Sequence, residues 1–66
     1  SAEDDPHAGE EFGYVISGSI NLYLGNRKYK VKKEESFYFK PNLVHKVENA
    51  GKSKAIVLWI SSPPSF

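Results

Sequence analysis

Apolar residues in this chain recur at every second position and nowhere with helical spacing over three turns. Turn signals separate the runs at intervals of about eight to twelve residues, the pattern of an all-β sandwich or barrel. Glu11 to Ile16 reads as a first strand, with Phe12, Tyr14 and Ile16 on one face and Glu11, Gly13 and Val15 on the other. Ser17-Gly18 is a tight turn. Ser19 to Leu24 alternates with Ile20, Leu22 and Leu24 apolar, and Gly25-Asn26 is a two-residue hairpin signal leading into a returning strand over Arg27 to Lys32. Ser36 to Phe39 and Val44 to Asn49 are further strands. Ala55 to Ile60 is apolar on both faces, which predicts a strand covered on both sides. The tail from Ser61, with two consecutive prolines, reads as extended, and the polar first ten residues as a mobile start that becomes ordered near His7.

Sixty-six residues make one domain, with its core over residues 5–60 and a tail over 61–66. A domain of this size buries only about 60% of its unfolded-chain surface, so a metal, a ligand or a partner is a natural source of added stability. The absence of cysteine excludes disulfides and thiolate metal sites. Nine basic against eight acidic residues give a net charge of +1, which provides no general attraction to nucleic acid or to a membrane surface. No apolar run approaches the ~20 residues of a membrane-spanning helix.

Two segments carry chemistry. In the first, His7 and Glu11 are separated by three residues and Gly18 follows after six more. In the second, Pro41-Asn-Leu-Val-His45-Lys-Val-Glu-Asn49 places a histidine at the mouth of another strand. Imidazole nitrogen and carboxylate oxygen suit zinc, iron, nickel or manganese. If Glu11 points inward, Gly13 and Val15 point inward with it, and Gly13 leaves room for a ligand.

At these positions the chain resembles the cupin superfamily. His7, Glu11 and Gly18 match its first motif, with Asp5 where the motif has another histidine; His45 and Asn49 match its second, with Pro41 one place off and Glu34 and Asn42 in place of glycines. The resemblance implies a small cupin-type jelly-roll β-barrel or sandwich, truncated relative to typical cupins, in which His7, Glu11 and His45 converge with Asp5 as a candidate fourth ligand to a divalent metal. A metal-free polar cluster is the alternative. Gly-Glu-Glu-Phe-Gly-Tyr-Val-Ile-Ser-Gly, Leu-Val-His-Lys-Val-Glu-Asn and the closing Ser-Pro-Pro-Ser-Phe further resemble the C-terminal cupin of Xre-type helix-turn-helix regulators. That branch implies a cytoplasmic small-molecule sensor and homodimerisation domain that reaches DNA only through an N-terminal domain absent from these residues. A small metal-dependent dioxygenase or isomerase is the alternative, and a purely structural dimerisation module a third.

The remaining groups have plainer readings. Lys28, Lys30 and Lys32 share one face of their strand and guard an edge against aggregation. Glu10 and Glu11 are adjacent on a strand, so their side chains diverge and make no acid–base pair.

Overall fold

Alternation gives each strand an apolar face and a polar one, and two sheets form by closing their apolar faces on each other. The computed structural model describes residues 2–4 (backbone only), 6 and 8–63. Its strands are β1 (Ala2–Asp4), β2 (Glu10–Ser17), β3 (Ser19–Leu24), β4 (Arg27–Lys32), β5 (Ser36–Phe39), β6 (His45–Asn49) and β7 (Ile56–Ser62). They build a four-stranded sheet ordered β1-β6-β3-β4 and a three-stranded sheet ordered β5-β2-β7, antiparallel throughout. Only β3 and β4 form a hairpin within one sheet; every other connection crosses to the opposite sheet, as in a jelly roll.

The all-β reading holds, and the boundaries of β3, β4 and β5 coincide with the alternation that predicts them. At the β3–β4 hairpin Gly25 takes a φ of 61° while Asn26 keeps a negative φ, which is the type II′ arrangement. Gly18, with φ 75°, turns the chain from β2 into β3 directly over the approach to β7. A Cβ there would lie 2.8 Å from the Lys54 carbonyl oxygen and 2.9 Å from the Ala55 Cα, so glycine is required by both backbone and space.

The core lies between the sheets. Val15, Ile20, Leu22, Val31 and Phe39 are buried, with Leu24, Phe37, Val47, Ala55, Val57 and Trp59 packed against them. β2 alternates as expected, with Glu11, Gly13 and Val15 inward.

Two expectations are corrected. Residues 2–4 form β1 and pair with Val47, Lys46 and His45 of β6, because that edge offers unpaired backbone groups. β7 is not covered on both sides: Val57, Trp59 and Ser61 face the core while Ile56, Leu58 and Ile60 are exposed on the outer face. It also runs two residues past Ile60, because β2 offers partners as far as the pairs Glu11↔Ser61 and Glu10↔Ser62.

Candidate functional site

Glu11 and His45 are the buried charged or titratable side chains among the described residues, at 4% and 3% exposure. A carboxylate between two apolar sheets requires hydrogen-bond donors to offset its lost hydration. Glu11 has two. The Trp59 indole Nε1–H donates to its Oε1 at 2.5 Å, and the Ser61 hydroxyl donates to the same oxygen at 2.7 Å. The register explains both contacts: β7 runs antiparallel to β2, Ser61 lies opposite Glu11, and Trp59 stands two residues away on the same inward face. The Glu11 carboxylate is thereby held by two side chains of β7, the strand next to its own in the same sheet.

His45 begins β6 in the opposite sheet, across from Leu24 of β3. Its Nδ1 lies 3.1 Å from the Leu43 carbonyl oxygen. A carbonyl can only accept, so Nδ1 carries the proton in this contact and the acceptor lone pair of the neutral ring is on Nε2. Phe39 packs beside His45 with ring centroids 5.3 Å apart, and Trp59 meets Phe37 edge-on at 5.0 Å. The result is a carboxylate and an imidazole lodged among three aromatic rings.

The other expected site residues fall as follows. Asp5 and His7 lie outside the described residues. Gly13 faces inward opposite Phe37, whose ring rests on its backbone: a Cβ at Gly13 would sit 2.0 Å from the ring. Val15 is fully buried in the core. Asn49 organises the loop before β7, its amide donating to the Ser53 carbonyl and its Oδ1 accepting from the Gly51 N–H, both at 2.8 Å. Trp59 and Ser61 were not among the expected site residues: two apart on the last strand they share a face, but their pairing with Glu11 is set by the β2–β7 register.

A groove of about 760 Å³ lies alongside this cluster without including it. Leu22, Leu24, Val31 and Phe37 form its apolar wall, with Lys30 and Glu35 among its polar lining. Phe37 belongs to both regions: it lines the groove and packs on Trp59. The polar chemistry is at Glu11, and the open volume is on the other side of Phe37.

The sequence leaves two readings of this donor set, a divalent-metal site and a metal-free polar cluster. His45 presents the tautomer that metal-ligating histidines use, with the other ring nitrogen tied to a carbonyl. One Glu11 oxygen, however, already accepts two hydrogen bonds. Among the described residues no group of three or more His, Cys, Asp or Glu side chains is placed to hold a metal ion. These residues alone therefore do not fit a metal.

Two crossed-over antiparallel sheets around an inward polar site define a jelly-roll domain of cupin type. The Cupin domain family model matches residues 1–61, and the chain belongs to that family. It is 36% identical over 58 residues to MJ1618 of Methanocaldococcus jannaschii, an uncharacterized protein. The matched region is 88% of this chain and 46% of that protein, so the chain spans about half the length of its relative. No solved structure matches significantly. No helix among the described residues is long and apolar enough to cross a membrane.

Proposed function

We propose that this cupin domain binds a small polar metabolite between its sheets, and that it serves as the sensor half of a bacterial transcriptional regulator whose DNA-binding domain lies outside these residues. The observation that carries the binding reading is the buried Glu11 carboxylate, oriented by Trp59 and Ser61 and placed among aromatic rings. Ligand sites commonly pair an apolar lining with a few fixed polar groups in this way. A carboxylate so held accepts a hydrogen bond from a ligand hydroxyl or amine, and the rings supply apolar contact. The sensor part rests on the sequence resemblance to Xre-type regulators. Binding would act on a DNA-binding domain only through different affinities for two arrangements of the protein. The described donor set does not favour the enzyme alternative.

Saturation-transfer NMR with a panel of sugars, polyols, amino acids and small amines tests the binding reading. The expected result is binding by at least one compound and its loss in Glu11→Ala. Binding unaffected by Glu11→Ala, or none across the panel, would contradict it. The sensor assignment predicts a helix-turn-helix encoded in the parent gene upstream of this domain.

A further inference from the structure

β4 is the last strand of its sheet and β5 an end strand of the other, so the sandwich is open along the seam between them. The groove of about 760 Å³ lies in that seam, and the turn at Glu34 and Glu35 closes one end of it. Tyr29 and Val31 pair with Leu22 and Ile20 and face inward with them, yet Tyr29 is 43% exposed because no strand lies beyond β4. Lys28, Lys30 and Lys32 take the alternate, outward positions, opposite Tyr23, Asn21 and Ser19. Successive lysines are therefore about 7 Å apart along the strand. Lys28 stands 6.0 Å from the centre of the Tyr23 ring, and among the described residues none of the three has an ion pair.

The backbone of this edge is also available. The Lys32 N–H donates to Glu35 Oε1 at 2.8 Å and its carbonyl accepts the Glu35 N–H at 2.9 Å. Both groups of Lys32 thus point away from β3. In an antiparallel ladder that orientation alternates, so the N–H and carbonyl of Lys30 and Lys28 point away from β3 as well. One strand therefore presents unpaired amide groups along its edge, an apolar groove on its inner side and cations at every second residue on its outer side.

We infer that the β4 edge docks an extended segment of another protein in which acidic and apolar residues alternate. Added as a fifth strand, such a segment pairs its backbone with Lys28 and Lys30, as in other strand-addition complexes. Its acidic side chains then lie beside the two lysines, since cross-strand partners share a face. The apolar residues between and beside them enter the groove against Leu22, Leu24, Val31 and Phe37. Glu35 already takes the place opposite Lys32, so the acidic positions end at Lys30, short of the carboxylates of the turn. Other occupants fit less of the site. The β4 of a second copy would set lysine against lysine. A nucleic acid would meet the lysines and leave the amide groups and the groove unused. Lysines on an edge strand deter indiscriminate pairing, and here they select the charge of the strand that can join. The inference does not depend on a ligand at Glu11 and stands or falls separately.

Fluorescence anisotropy with a labelled, end-blocked Val-Glu-Val-Glu-Val peptide on the full chain tests it, together with amide hydrogen exchange. Binding should saturate below about 1 mM peptide, and exchange of the Lys28 and Lys30 amides should slow by at least about 10-fold. The double variant Lys28→Glu, Lys30→Glu should bind at least about 10-fold more weakly and should accept Val-Lys-Val-Lys-Val instead. Methylating both glutamate backbone nitrogens of the peptide should abolish binding to wild-type protein, a result that needs no folded variant. No binding at about 1 mM would overturn the inference. So would equal affinity for the lysine peptide, or binding that survives methylation. Protection of the Lys28 and Lys30 amides that grows with protein concentration alone would give the edge to a second copy and overturn it. Tighter binding of a single-stranded thymidine oligonucleotide, with those amides unprotected, would do the same for a nucleic acid.

Discussion

Glu11 is costly to bury, and the residues around it follow from that cost. Its Oε1 depends on Trp59 and Ser61, so removing either donor leaves a buried acceptor short of a partner. Ser61→Ala should lower stability by about 1–3 kcal/mol, read from urea midpoints by circular dichroism. Gly13 is equally constrained. Gly13→Ala should cost about 1–3 kcal/mol because the methyl would enter the Phe37 ring, and Phe37→Leu in the same chain should recover part of the loss. At the surface, the Glu10 carboxylate that accepts the Tyr38 hydrogen bond holds that phenol above its ordinary value of 10.0. A phenol raised in the folded state adds stability that is present below pH about 10 and lost as pH rises through the folded value. Tyr38 should therefore titrate late in phenolate absorbance, and Glu10→Gln should bring it down. Glu11 and His45 were legible from their spacing to Gly18 and Asn49. Trp59 and Ser61 were not, because their contact with Glu11 depends on how β7 registers with β2, which no local pattern encodes.

Among the elements, the strands whose limits are set by turns were readable from sequence, and those set by pairing were not. Gly18 and Gly25 mark real reversals with positive φ. β1 escaped notice because Ala2, Glu3 and Asp4 carry no strand pattern and acquire strand geometry only from the β6 edge, and β7 outran its apolar stretch because β2 supplied partners for two serines. The turn between β4 and β5 carries a local conflict. Glu34 adopts a φ of 69° where the family motif has glycine, while its N–H donates to the Val15 carbonyl at 2.7 Å. A left-handed non-glycine residue costs about 1–2 kcal/mol, partly offset by the greater chain entropy lost by glycine. Glu34→Gly should therefore raise stability by about 0.5–1 kcal/mol in thermal or urea unfolding, and a loss would show that the Glu34 side chain contributes more than the backbone strain.

For the molecule as a whole, five buried apolar side chains between two small sheets make a thin core, and the uncovered outer face of β5-β2-β7 is where further burial is available. If the homodimer that the family resemblance implies uses that face, the melting temperature should rise with protein concentration, and Leu58→Lys should abolish the dependence. The groove and the Glu11 cluster are separate regions joined by Phe37, so where a ligand binds can be decided by experiment. Trp59 is the one tryptophan of the chain, and its indole N–H is bonded to Glu11. The most direct measurement is the position of that single indole signal in a ¹⁵N–¹H spectrum during titration with the compound found by saturation transfer, and in parallel with zinc. Binding at the proposed site predicts that the indole signal shifts to saturation in wild-type protein and that the shift disappears in Glu11→Gln. A stationary indole signal, with Leu22, Leu24 and Tyr29 moving instead, would place the ligand in the neighbouring groove and contradict the central role of Glu11.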